Sequence, residues 1–550
     1  MPGTTKDATV TIRGDGLSIA DIAAVARGAR VELTSDEAVL GRIAASRQCI
    51  LDAVERGTPI YGVTTLFGGL ADRVVPKHLA AELQENAVWQ HKASTGERLG
   101  VADVRAAMLL RANSLARGVS GVRLEIIERL ATFLNAGATP EVFELGSIGA
   151  SGDLVPLAYV AGSILGLDPG YRVDLDGRTV GSVEALERLG LAPLRLEPKE
   201  GLALMNGTSV CTGVAANCVA RARELIALSL AAHALFVQAL RGTTQSFQGF
   251  IHEHKPHPGQ RATARAMIAL LAGSRMTHDE SDGDRTHRRG NLIQDRYSLR
   301  CLPQYLGPIV DGVAQIAREI EIEANSATDN PLIDATTGSI FHCGNFLAQY
   351  VGVAMDQLRY HLGLLAKHLD VQIALLVTPE FSNGLPASLV GNREREVNIG
   401  LKPLQLVCNS IMPLIAFHGH SLADRYPTHA EQFNQNVNSQ AMGSAILARR
   451  SLDLLEHYVA NSLLFAVQAV ELRARELTGQ FDARAALSTA TASVYEAIRA
   501  ALGRPISSDR PLVWNDNEEF LETLVARVRD DLQTGGRILA AVLDGPAGAL

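Results

Sequence analysis

Four stretches of this chain, 213–240, 309–324, 347–377 and 442–477, stay apolar over many turns and repeat their apolar positions with a helical period. Segments of that length hide their apolar faces only by packing on one another, so they predict a mainly α protein built as a long helical bundle. The composition agrees, because alanine and leucine abound while aromatic side chains make up 5% of the residues. With 550 residues, 47% of them hydrophobic, the chain can bury a large core. No repeat, low-complexity tract or Pro/Ser linker divides it. We therefore expect one continuous unit with an N-terminal part over 1–200, a central long-helix bundle over 201–477 and a C-terminal helical part over 478–550.

Around the long runs the pattern is finer. An extended lead over 8–12 precedes helices opened by Leu17-Ser-Ile-Ala-Asp-Ile and by Ser35-Asp-Glu-Ala, the second ended by Gly57-Thr-Pro. Helical period returns at 80–86 and 101–116, a hairpin and small helix fit 168–198, and the charged run 282–290 reads as an exposed loop. Shorter helices follow 482. Net charge is −8 with both signs mixed along the chain, which argues against a nucleic-acid surface and leaves a small polar substrate as the easier partner. Cys49, Cys211, Cys218, Cys301, Cys343 and Cys408 form no C-x-x-C pair, and the first residues lack the apolar core of a signal peptide. Buried thiols in a reducing cytoplasm are expected. The run 225–240 contains Ser229, His233 and Gln238 and reads as falling short of a membrane span.

The stretch 146–159 carries unusual chemistry: Gly-Ser-Ile-Gly-Ala-Ser-Gly-Asp-Leu-Val-Pro-Leu-Ala-Tyr. Glycine has no side chain to shield its amide nitrogen and reaches backbone angles closed to other residues. A tight turn could therefore press the Gly152 nitrogen onto the Ala150 carbonyl carbon and close a five-membered ring. Loss of two waters, one carrying the Ser151 hydroxyl, would leave a methylidene conjugated to an imidazolone, an electrophile that no ordinary side chain supplies. Ala-Ser-Gly-Asp is also a common turn or helix start, so the tripeptide alone does not choose between the two.

Other segments offer polar groups to such an electrophile. Tyr61 opens the glycine-rich loop Tyr61-Gly-Val-Thr-Thr-Leu-Phe-Gly-Gly, and its phenol serves as a base only if neighbours stabilise the phenolate; otherwise it anchors the loop. Gln294, Tyr297 and Arg300 stand three apart, so a short helix would present them to one side. Arg300 is a natural carboxylate clamp, or else half of an ion pair. Asn206 in Glu200-Gly-Leu-Ala-Leu-Met-Asn206-Gly-Thr reads as an amide capping the long helix after it. Thr428-His-Ala-Glu431 has the form of a capping box, with Glu431, Asn434 and Gln435 sharing a helical face. His252, His254 and His257 suggest a metal, but Lys255-Pro-His-Pro-Gly breaks regular ligand geometry, and we expect neither a metal nor a nucleotide site.

Taken together, and in this order, these segments resemble the aromatic amino-acid ammonia-lyases and aminomutases that carry a 4-methylidene-imidazol-5-one (MIO) group. The resemblance covers nearly the whole chain and is nearest to the prokaryotic phenylalanine/tyrosine ammonia-lyases. It implies a fumarase/aspartase-like helical fold and a cytoplasmic homotetramer whose sites gather residues from three subunits. It also implies MIO formed autocatalytically from Ala150, Ser151 and Gly152, and Tyr61 as the base. Tyr297 and Arg300 would hold the reacting centre and carboxylate, and Asn206 would touch the MIO ring. Glu431, Asn434, Gln435, Gln294, Asn330, Phe346 and Lys402 also match substrate-site positions. The implied reaction is non-oxidative deamination of phenylalanine or tyrosine to trans-cinnamate or p-coumarate plus ammonia. A 2,3-aminomutase shares every motif, whereas histidine ammonia-lyases typically carry an acidic residue where this chain has Gln435.

The chain departs from the family at two places. Leu66 stands where glycine is usual in the Tyr61 loop, and Gln90-His91 replaces the Phe-Leu pair common in phenylalanine-selective relatives. That pair beside a bound ring would offer hydrogen bonds to a phenol, with Leu202 and Phe346 as the apolar wall. The alternative is that His91 turns to solvent.

Overall fold

The computed structural model describes residues 9–279, 294–425 and 429–550. The loop expected at 282–290 and the Thr428 half of the capping box lie outside them. Five helices form the centre: Val101–Ala116, Ser209–Ala239, Leu302–Ala324, Gln349–Val377 and Ala441–Thr478. Ser209–Ala239 packs along Ala441–Thr478 and Val101–Ala116, while Gln349–Val377 lies against Ala441–Thr478 and Leu302–Ala324. The apolar period of each run becomes a continuous buried core that joins all five.

Local signals fix the ends of the shorter helices. Ser18 and Asp21 form a reciprocal capping box ahead of Ile19–Ala26, and the Asp36 carboxylate accepts the Ala38 amide at the head of Glu37–Glu55. Ala441–Thr478 stops at Gly479, whose φ of 83° favours a residue without a side chain. Strands are peripheral. Thr9–Ile12 pairs in parallel with Arg30–Leu33, Arg172–Leu175 forms a hairpin with Arg178–Gly181, and Leu332–Asp334 pairs antiparallel with Ser339–Phe341.

Three expectations need correction. The run 225–240 belongs to a longer apolar unit, Glu200–Ala239, which by length and composition could cross a membrane; 94% of its most apolar window is buried inside the fold. The long helix begins at Ser209, and Asn206 instead closes the preceding helix Glu200–Met205. Only three of the six thiols, Cys211, Cys218 and Cys408, are fully buried, the others being half-buried.

Candidate active site

The loop 146–153 enters the helix Leu154–Leu165 through three glycines with positive φ, Gly146, Gly149 and Gly152. Two of them also permit close approach. A Cβ on Gly152, where φ is +67°, would overlap the Gly207 carbonyl, and one on Gly149 would overlap the Ser439 hydroxyl. The loop is held by two segments, one at Gly207 and one at Ser439 and Gln440. The Asp153 amide donates to the Gly207 carbonyl at 2.8 Å, the Gln440 amide donates to the Ile148 carbonyl at 3.0 Å, and the Ser439 hydroxyl donates to the Gly149 carbonyl at 2.9 Å.

Ser151 is gripped on both sides. Asn206 Nδ2 donates to the Ser151 carbonyl at 2.9 Å and Gln435 Nε2 donates to the Ser151 hydroxyl at 2.8 Å. The buried Asn206 Oδ1 has no partner among the described residues, which leaves an acceptor available beside the loop. Below it, the Asp153 carboxylate accepts from the Val210 and Cys211 amides and from the Ser147 hydroxyl. Burial pushes that carboxyl up, and these hydrogen bonds pull it back. The fully buried Arg111 stands under Gly207, donates to the Thr328 carbonyl, and is lowered to about 10 by burial. A second buried charge, Lys199, pairs with Asp329 at 2.7 Å.

Tyr61 lies in a second loop, which meets the 431–435 segment that also reaches Ser151. Its hydroxyl accepts the Gly68 amide at 2.9 Å, its ring meets Phe67 edge-on at 6.3 Å, and its backbone amide donates to His342 Nε2 at 3.1 Å. Burial raises the phenol above its usual value, the Gly68 amide opposes that, and the negative charge of Glu431 adds to it. Glu431 reaches the loop because Gly68 has no side chain, and a Cβ there would overlap its carboxylate. Leu202 packs in the same way against Gly62.

Glu431, Asn434 and Gln435 do not share a helical face. Glu431, Gln432 and Phe433 have φ of 53°, 51° and 66°, a left-handed turn closed by the paired Ala430 and Gln435. Such angles cost non-glycine residues about 1 kcal/mol or more each, and the contacts of Glu431 with Gly68 and of Gln435 with Ser151 accompany that strain. The helix Tyr297–Arg300 does not extend back to Gln294. Its guanidinium stacks on the exposed Tyr297 ring, 4.5 Å from Arg300 Cζ to the centroid.

Tyr61, Ser151, Leu202, Asn206, Glu431 and Gln435 thus meet within one chain. Asn330, which accepts the Cys343 amide, and Phe346 lie on a segment that reaches the loop where the Ala348 amide meets the Gly149 carbonyl at 3.4 Å. Gln90 and His91 end the helix Ala80–Gln90, which packs on Glu200–Met205 beside Leu202, whereas no hydrogen bond or ring contact among the described residues ties Gln294, Tyr297, Arg300 or Lys402 to the cluster. His252 accepts from Gln260 and bonds the Ser246 carbonyl, and among the described residues no group of three His, Cys, Asp or Glu side chains could hold a metal. Sequence reasoning missed the supporting Gln84, Arg111 and Asp153. Gln84 was legible, since it interrupts the apolar stripe of Ala80, Leu83, Ala87 and Val88.

A family model described as aromatic amino acid lyase matches residues 17–500. The chain is 57% identical over 538 residues to the phenylalanine ammonia-lyase of Nostoc punctiforme, covering 98% of this chain and 95% of that protein. It is 56% identical over 536 residues to the aromatic ammonia-lyase of Loktanella atrilutea, covering 97% and 98%. The solved tyrosine aminomutase from Streptomyces globisporus superposes with a TM-score of 0.88 at 32% identity, covering 98% and 99%. The chain belongs to the aromatic amino acid lyase family, a family of carbon–nitrogen lyases.

Proposed function

We propose that this chain deaminates L-phenylalanine, L-tyrosine or both, releasing ammonia and trans-cinnamate or p-coumarate, at a site built on MIO formed from Ala150, Ser151 and Gly152. The observation that carries the reading is the double grip of Asn206 and Gln435 on Ser151, in a loop where Gly152 has left-handed backbone and no room for a side chain. These residues fit the group: Gly152 leaves its nitrogen unhindered, Asn206 would hold the ring's oxygen, and Gln435 would border the serine-derived carbon. MIO supplies an electrophilic carbon for the substrate amine.

The chain's own groups do the rest. Tyr61 takes the benzylic proton, and Arg300 with Asn206 fixes the carboxylate so that the breaking C–H and C–N bonds are aligned. Tyr297 borders the reacting centre, while Gln294, Asn330, Phe346, Lys402, Glu431 and Asn434 line the substrate. Gln294, Tyr297, Arg300 and Lys402 join from other copies in a cytoplasmic homotetramer, while Gln90 and His91 end the helix that Gln84 ties to Leu202, with 1–200, 201–477 and 478–550 acting as one unit. Exposed apolar side chains on the outer faces of Gln349–Val377 and Lys402–His418 support the assembly, among them Tyr350 (72% exposed), Leu406 (62%) and Phe417 (72%). An aminomutase outcome is the second reading, favoured by the likeness to the tyrosine aminomutase structure.

Ring selectivity tests the substrate. His91 Nδ1 lies 2.7 Å from the Ala87 carbonyl and must donate to it, so Nε2 is left as an acceptor for a phenolic hydroxyl. A bare phenyl ring leaving Gln90 and His91 unpaired in a dry pocket would lose roughly 1 to 3 kcal/mol. Tyrosine should therefore be accepted alongside phenylalanine, and Gln90→Phe with His91→Leu should lower the Tyr-to-Phe ratio of kcat/KM. An unchanged ratio would mean that these residues do not read the ring.

A further inference from the structure

We propose that Gln84 is a positioning residue for proton abstraction, a buried amide that locks the Tyr61 loop to the segment gripping the electrophile loop. This rests on the reading of Tyr61 as the base. Gln84 lies on the helix Ala80–Gln90 and is fully buried. Its Nε2 donates to the Gly62 carbonyl at 2.8 Å, one residue from Tyr61, and its Oε1 accepts the Leu202 amide at 3.1 Å.

The Leu202 carbonyl in turn accepts the Asn206 amide at 2.8 Å, and Asn206 Nδ2 holds the Ser151 carbonyl at 2.9 Å. A single run of hydrogen bonds therefore connects the loop bearing the proposed base to the tripeptide bearing the proposed electrophile. Gly201 lets the two helices close, because a Cβ there would overlap the Gln84 carbonyl. The Leu202 side chain fills the space that a side chain on Gly62 would need.

The chemistry of the bridge requires a neutral amide. One partner is a carbonyl and the other an N–H, so the side chain must donate at one end and accept at the other. Leucine would leave both main-chain groups unpaired in a dry interior. An ionised glutamate would set a second acceptor against the Gly62 carbonyl, whereas a protonated one could donate to it and still accept from Leu202. A purely structural amide would affect folding or every kinetic constant. One that acts through Tyr61 affects the proton-transfer step and loses its effect when the phenol is gone.

The experiment compares Gln84→Leu, Gln84→Glu, Tyr61→Phe and the Gln84→Leu/Tyr61→Phe pair, reading kcat, KM and intact mass. Gln84→Leu is expected to keep the mass deficit of two waters, to change KM little and to lower kcat roughly 10- to 100-fold. The double variant is expected to be no slower than Tyr61→Phe. Burial raises the pKa of an introduced carboxyl. Gln84→Glu should therefore approach wild-type kcat as pH falls and its side chain is protonated, and lose activity as pH rises, a dependence absent from Gln84→Leu. Wild-type kcat in Gln84→Leu, loss of its mass deficit, full additivity with Tyr61→Phe, or a shared pH profile for the Glu and Leu variants would each overturn the proposal. If Gln84→Leu is insoluble, the pH profile of Gln84→Glu decides alone. Normal turnover by Tyr61→Phe would remove the base assignment and this inference with it; an inactive Tyr61→Phe beside a normal Gln84→Leu would remove this inference only.

Discussion

Ser151→Ala is expected to abolish deamination, lowering kcat by at least about 10³-fold, some 4 kcal/mol of barrier, while the protein still folds. The fold should survive because the other bonds that hold this loop do not use the Ser151 side chain. Asn206 binds the Ser151 carbonyl, and the Asp153 amide binds the Gly207 carbonyl. Only the Gln435 contact to the hydroxyl is lost, at a half-exposed position. What disappears is the oxygen that must leave as water to create the methylidene. Intact-protein mass reads this directly: wild type should fall below its sequence mass by two waters, and the variant should lose that deficit wholly or in part. Undehydrated wild type, or turnover by the variant, would contradict the electrophile.

Tyr61→Phe is expected to reduce kcat by about 10² to 10⁴-fold, the usual contribution of a positioned general base. The structure also gives the pH dependence its sign. Burial, with the charge of Glu431 adding to it, raises the Tyr61 phenol, and the Gly68 amide only partly compensates. A base must be deprotonated to act, so wild-type kcat/KM should rise with pH through the alkaline range, and that limb should vanish in Tyr61→Phe. Arg300→Ala is the contrast, because loss of the carboxylate fork should raise KM as well as lower kcat. Near-normal turnover by Tyr61→Phe at any pH would mean that another group takes the proton.

Helices were legible wherever packing on a single core dictated the apolar period. Val101–Ala116 begins and ends where its pattern does, and the runs at 347–377 and 442–477 lie within two residues of the observed helices. Misreadings fell where a local signal competed with a distant partner. Asn206 has the composition of an N-cap, yet its amide is taken up by Ser151, and the chain breaks between two helices to let it reach there. Thr428 to Glu431 has capping-box spacing, but Glu431 is drawn to Gly68 and Gln435 to Ser151, which a helix would not allow. Lys402, Gln90 and His91 became site candidates through resemblance, and Arg300 through resemblance added to its carboxylate-binding chemistry, since periodicity carries no information about which distant surfaces meet. Gln84 was visible as a polar residue inside an apolar stripe, but its partners, Gly62 and Leu202, appear only in the fold.

The central claim is that this chain eliminates ammonia from an aromatic amino acid. Its most direct test is to incubate the purified wild-type protein with L-phenylalanine and with L-tyrosine separately and to identify and count the products. Ammonia and the matching arylacrylate are expected in equal amounts from at least one of them. A β-amino acid as the main product, or no consumption of either substrate, would contradict it.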